Sequence, residues 1–257
     1  MNTHIDQLPP NASIMKKNPN LVLPVTILGI SFIICTLLLG LFLKERGQAN
    51  QTINVTGSAK RDIVSDLGIL RGNLQASGAT AEEAYQNLQQ QRPAILAYLR
   101  QQGFAATAIN QSTISLNPVF ELNGQGFQTN NILAYNASQM IDVQSEDVAR
   151  IKQVSLDITS LVNKGVNFSV NPPEYYYTKL ADLKVEIQAD AAKDALNRAQ
   201  KIAEATGSEL GPITTARMGV IQITPVNSNM ISDYGINDVS SIDKEITAVV
   251  SASFRLE

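Results

Sequence analysis

Side chains able to do nucleophilic, acid–base or metal chemistry are few in this 257-residue chain, and their positions set them apart. The only histidine, His4, stands near the N-terminus, and the only cysteine, Cys35, lies inside a long apolar run. A nucleophilic triad needs an imidazole beside its Ser or Cys, and an ordinary zinc site needs several His or Cys ligands. Residues 52–257 contain neither residue type, so no such triad or zinc site can form there. One cysteine also rules out a disulfide framework. The remaining acid–base candidates are carboxylate pairs: Glu82-Glu83, Glu146-Asp147, and Asp190 with Asp194. They fall at expected helix starts or on helix faces, where they complement the helix dipole or are solvated. Gly124-Gln125-Gly126 lacks the third glycine and the strand-to-helix context of a dinucleotide loop, and reads as a hairpin turn. No catalytic, metal-binding or cofactor-binding residue is expected, and the chain reads as non-enzymatic.

Charge narrows the partners. With 20 Lys+Arg against 23 Asp+Glu the net charge is -3, which does not suit a dedicated nucleic-acid binder. The one conspicuous aromatic cluster is Tyr175-Tyr176-Tyr177, directly after Pro172-Pro173 and Glu174. Its rings either pack on neighbours at a strand edge or serve a protein interface or a membrane-interface belt.

Residues 21–43 carry no charge. As a helix they reach about 34 Å, enough to cross a hydrocarbon core of roughly 30 Å. A cleavable signal would have a shorter apolar run followed by small residues. Here Lys44-Glu45-Arg46 ends the run, so an uncleaved single-pass anchor in contact with membrane lipid is expected. Lys16 and Lys17 on one side balance Lys44 and Arg46 on the other, so charge does not decide the orientation. Gly29, Thr36 and Gly40 share one face of the span and would allow close helix–helix approach in lipid. Residues 1–20 read as a disordered tail and residues 44–51 as a linker to the domain of residues 52–257.

Three helices announce themselves in that domain. One starts at Thr80 with Glu83 three residues on, a capping box, and runs through Ala84, Leu88, Ile95 and Leu99 to Gly103. Pro93 should kink or divide it. A second follows Ser145, with Val148, Ile151, Val154, Ser155, Ile158, Leu161 and Val162 on one face, and stops at Gly165. The third runs from about Lys179 to Thr206, with Leu180, Leu183, Ile187, Ala191, Ala195, Ala199 and Ile202 as its stripe. Residues 52–76 read as one strand bent near Ala59-Lys60-Arg61, or as two. Residues 109–122 and 132–144 form a hairpin about the Asn123–Gly126 turn, the second with Leu133, Tyr135, Ala137, Ile141 and Val143 on one face. Residues 166–170, 212–224 and 245–256 are further strands, and 226–241 a mobile loop. Interleaved helices with a hairpin imply an α+β fold, a mostly antiparallel sheet with three main helices packed on it.

Several segments resemble the SIMPL domain family of bacterial envelope proteins. They are Ile53-Asn54-Val55-Thr56-Gly57 with Ser65-Asp66 and Thr80–Ala84, then Tyr135–Gln139, then Gly165-Val166-Asn167. Ala191–Ala195 through Arg198, Ala199, Ile202, Gly207 and Gly211 is similar to the family's alanine-rich helix. Ser65-Asp66 and Lys244-Glu245-Ile246 depart from its usual Pro-Asp and Gly-Glu-Ile. The resemblance implies an extracytoplasmic domain of undefined function that oligomerises and has no catalytic set. Together with the anchor it places residues 52–257 on the periplasmic side of the inner membrane. The function expected is homo-oligomeric assembly; an adapter binding another membrane-protein complex is the alternative, and a carboxylate hydrolase a weaker one.

Overall fold

A computed structural model describes residues 22–48 and 51–256, with the side chains of residues 24–41 and 51–256. The expected tail 1–20, with His4, lies outside the described residues, as does part of the linker. In chain order the elements are α1 (Val22–Gln48), β1 (Thr52–Val64), β2 (Leu67–Gly78), α2 (Ala81–Gln101), β3 (Ile109–Gln111), β4 (Ser115–Leu122) and β5 (Gln128–Ser145). There follow α3 (Val148–Asp157), β6 (Phe168–Val170), β7 (Glu174–Tyr176), α4 (Leu180–Thr206), β8 (Leu210–Met218), β9 (Gln222–Pro225), β10 (Ile236–Asn237) and β11 (Asp243–Leu256).

Helix α1 is long and apolar enough to cross a membrane, and its side chains from Pro24 to Leu41 are all exposed. The other elements form two sheets. In the first, β1 pairs with β11 along its whole length, and the other side of β11 is shared by β8 and β9. In the second, β5 and β2 are central, flanked by β3 and β4 on one side and by β6 and β7 on the other. All pairings but β9 with β10 are antiparallel.

The topology of the second sheet follows from those pairings. Strands β2 and β4 both run antiparallel to β5, so they are parallel to each other, and α2 connects them across it. Strands β5 and β6 are likewise parallel, joined through α3 across β2. This is the ferredoxin-like double split β-α-β arrangement. Leu74, Leu88, Ile95, Leu99, Ile141 and Ile151 make its core between sheet and helices. On the first sheet α4 covers one face, with Ile63, Leu183, Ile187 and Ile246 toward its N-terminal end. Val55, Ala195, Ala199 and Phe254 pack toward the other end.

Local signals land where their chemistry requires. Thr80 Oγ1 accepts from Glu83 N–H at 3.1 Å, and Glu83 Oε2 accepts from Ala79 N–H at 2.8 Å. Gly165 and Gly207 end their helices in the left-handed conformation, with φ 74° and 70°. At the hairpin tip Asn123 Oδ1 accepts from the N–H groups of Gln125 and Phe127, both at 3.0 Å.

Several expectations change. The break in residues 52–76 falls at Ser65-Asp66 and not at Ala59–Arg61, because β1 stays paired to β11 as far as Val64 while β2 belongs to the other sheet. Pro93 leaves α2 undivided; it stands on the exposed side of the helix, where the hydrogen bond its ring removes is not buried in the core. After Asp157 the second helix tightens to a 3-10 turn, Ile158–Lys164, whose three-residue period buries Ile158 and Leu161 and turns Val162 outward. Ala203 replaces Ile202 in the α4 stripe, since Leu183, Ile187, Ala191, Ala195, Ala199 and Ala203 form a single i+4 ridge. Leu133 is exposed, because β5 has by then outrun its neighbour β2. The segment 226–241 contains β10 and is pinned by Gln222 Nε2, which donates to Ser232 O at 2.7 Å.

The alanine ridge lets α4 lie backbone-close on β1. A Cβ on Gly57 would stand 2.2 Å from Ala195 N and 2.3 Å from Ala191 O, main-chain atoms that cannot rotate away. Gly57→Ala should therefore lower stability by about 2–3 kcal/mol, against less than about 0.5 kcal/mol for exposed Thr56→Ala. Urea unfolding of the full chain in detergent measures both. Equal midpoints would show that α4 lifts freely.

Candidate functional site

Each of the three carboxylate pairs has at least one member tied into the fold. Glu82 and Glu83 occupy the first turn of α2, where Glu82 Oε1 accepts from Gln86 Nε2. Asp147 caps α3 by accepting from Arg150 N–H at 2.9 Å. Asp190 and Glu186 both pair with Arg61 of β1, at 2.9 and 2.7 Å. Asp194 accepts from Ser58 N–H at 2.9 Å and pairs with Arg198 at 2.8 Å; the Ser58 contact foremost holds its carboxyl below the ordinary range. Among the described residues no group of three or more His, Cys, Asp or Glu is placed to hold a metal ion.

The tyrosine run sits where the two sheets meet: alternation puts Tyr175 and Tyr176 of β7 on opposite faces, and Tyr177 lies just beyond the strand's end. Tyr175 is buried in the core beneath α2 and α3, only 4 % exposed. Tyr176 faces the open side of the second sheet and donates to Glu174 Oε2, which also pairs with Arg71. Those two contacts, the hydroxyl first, hold the Glu174 carboxyl below its ordinary range. Tyr177 packs against the cluster of Ile63 and Leu183 under α4. The run thus offers no contiguous aromatic surface.

Around it lies a polar junction that composition did not reveal. Lys244 of β11 is only 2 % exposed and donates through Nζ to Tyr175 O at 2.7 Å and Asp238 O at 2.5 Å. Burial holds its pKa below that of an ordinary lysine. Asp66 Oδ1 and Oδ2 accept from Thr178 N–H and Oγ1 at 2.7 and 2.8 Å, and Asp66 N–H donates to Tyr176 O at 2.9 Å. The Asp238 carboxylate accepts from the N–H and hydroxyl groups of both Ser240 and Ser241. A lysine on the inward side of β11, in the register of Ile246 and Ala248, is the one sequence signal that marked this junction.

The surfaces able to meet a partner lie elsewhere. Beyond the Gly78–Tyr135 pair, β4 and β5 continue as a two-stranded arm past the end of β2. Leu122, Phe127, Ile132 and Leu133 on this arm are exposed, Phe127 by 67 % and Leu133 by 68 %. The arm exists because the 18-residue β5 outruns the 12-residue β2. On α1, Thr36 Oγ1 donates to Phe32 O and Ile33 O within its own helix, and Gly29 and Gly40 have nothing near their Cβ positions.

Acid should act at the junction. Burial opposes ionisation of Asp238, but the Ser240 and Ser241 hydrogen bonds outweigh it and hold the carboxyl below its ordinary 3.8. The folded chain thus gives up this proton more readily than the unfolded one. The resulting stability is complete above about pH 4 and is lost as pH falls through the lower, folded value. Asp238→Asn should remove part of the acid sensitivity of the urea midpoint below about pH 4. A variant curve merely parallel to the parent's would exclude this contribution.

Two comparisons agree with this architecture. The SIMPL family, described as proteins of unknown function (DUF541), matches residues 53–254. The chain is also similar to the uncharacterized protein YggE of Edwardsiella ictaluri, 23 % identical over 174 residues, covering 66 % of this chain and 69 % of that one. The family match takes in nearly every strand of both sheets and all three helices packed on them, and the chain belongs to the SIMPL family.

Proposed function

We propose that this SIMPL protein is a non-enzymatic envelope component, anchored once in the inner membrane by α1, whose periplasmic domain acts by homo-oligomeric assembly. The observation that carries the reading is the β4–β5 arm. A two-stranded ribbon alone in water is marginally stable, and this one also exposes Leu122, Phe127, Ile132 and Leu133. The outer edge of β4 has no strand partner among the described residues, and its guards are only Pro118 and Glu121. Every copy carries the same arm, so closed symmetry covers all of them at once. Strand β2 does not share this need, since it is paired on both sides. The structural partners of each carboxylate pair support the non-enzymatic part. The apolar, uncharged span of α1 supports the anchor.

The full chain in detergent should have a homomeric protein mass by light scattering. Phe127→Lys with Leu133→Lys should reduce it to a monomer without changing its circular dichroism or melting temperature. A monomeric parent would sink the assembly reading, and a fixed co-purifying partner in native membranes would favour an adapter role instead. Topology has its own check. Protease added to intact spheroplasts should digest the domain, whereas full protection would place it in the cytoplasm.

A further inference from the structure

Between the outer edge of β1 and the flank of α4 runs a groove of about 560 Å³. Its strand wall is Asn54, Val55 and Thr56, and its helix wall includes Arg198, Lys201 and Ile202. The direction of the backbone groups on the strand wall follows from the ladder. Leu256 N–H donates to Gln51 O at 3.0 Å and Ser65 N–H to Ile242 O at 2.9 Å, so odd-numbered residues bond toward β11. Even-numbered residues then turn their N–H and C=O outward. Ser58 agrees, since its N–H leaves the sheet for the Asp194 carboxylate.

Asn54 and Thr56 therefore present an open ladder to the groove, and no strand pairs with this edge among the described residues. The charges that guard β1, Lys60, Arg61 and Asp62, all lie toward its far end. On the helix wall Arg198 and Lys201 are the only charged residues lining the groove. Their partners Asp194 and Glu204, each at 2.8 Å, do not line it. Ile202 adds a half-exposed apolar contact, which is why it is missing from the buried stripe of α4.

An unpaired strand edge beside a helix captures extended peptides as an added strand; main-chain bonds supply affinity and the side-chain wall selects. We propose that this groove binds an extended, carboxylate-bearing peptide segment of a partner protein. The peptide's main chain pairs with Asn54 and Thr56, its carboxylates meet Arg198 and Lys201, and an apolar side chain rests on Ile202. The proposal depends neither on the β4–β5 arm nor on the orientation of α1.

The test uses the full chain in phosphatidylcholine nanodiscs and two fluorescent peptides of alternating valine and threonine, one ending in two glutamates and the other in two lysines. The glutamate peptide should bind at least about tenfold more tightly, a gap of about 1.4 kcal/mol, and should slow amide exchange at Asn54 and Thr56. Arg198→Glu with Lys201→Glu should erase that preference and leave the melting temperature within a degree or two of the parent. Equal affinity for the two peptides, or unprotected Asn54 and Thr56 amides at millimolar peptide, would overturn the proposal. So would protection that appears without peptide in phosphatidylglycerol nanodiscs, marking a lipid headgroup site. Protection rising with protein concentration alone would overturn it too, marking a second copy.

Discussion

One stretch of backbone, residues 52–78, serves two sheets, and the crossing at Ser65 and Asp66 is the constraint on which the other contacts depend. On one side of it β1 is committed to β11; on the other β2 is committed to β5. Two polar side chains hold the crossing. Asp66 gathers Thr178 just before α4, and Lys244 draws the carbonyls of Tyr175 and Asp238 together from β11. A buried ammonium is costly unless its protons are received, and two carbonyls receive two of its three here. The sheets are thereby fixed to each other through main-chain atoms, which side-chain repacking cannot supply.

The two halves solve helix-on-sheet packing differently. Beneath α2 and α3 the core is built from leucine and isoleucine, and Gly72 makes room for the Phe168 ring. Beneath α4 the contact is alanine on glycine, with the helix backbone almost touching β1. Close approach leaves little apolar area per residue, so α4 compensates with length, 27 residues along the paired β1 and β11. It also holds Arg198, Lys201 and Ile202 beside the open edge of β1, which a helix carried on larger side chains would keep at a greater distance.

Polar chemistry in this fold goes into positioning. Arg61 clamps Glu186 and Asp190, Asp194 closes one outward N–H of β1, and Asp238 organises the turn that receives Lys244. Open edge and exposed apolar surface among the described residues are found chiefly on the β4–β5 arm and the first residues of β1. The two lie at separate places, one on each sheet.

Much of this was present in the chain as short-range signals. The uncharged run 21–43 acts by its apolarity alone, while the Thr80–Glu83 box, the Asn123–Gly126 turn, and Gly165 and Gly207 at their helix ends each act over a few residues, by local hydrogen bonding or allowed φ. Such features need no distant partner, so the sequence by itself determined them, and with them the helices, the hairpin and the α+β class. Strand partners were a different matter. Whether β2 would be an edge or a centre, where β1 would break, and how far β5 would outrun β2 depend on contacts remote along the chain. The three tyrosines look equivalent in sequence, yet β7 lies at the seam of two sheets and ends at Tyr176, so each ring enters a different environment. Ile202 and Ala203 differ in apolarity the wrong way for their roles; the i+4 ridge against β1, and not hydrophobicity, chose which one to bury. Local backbone preference was legible from the residues, while burial and pairing were decided only when the two sheets closed around Ser65 and Asp66.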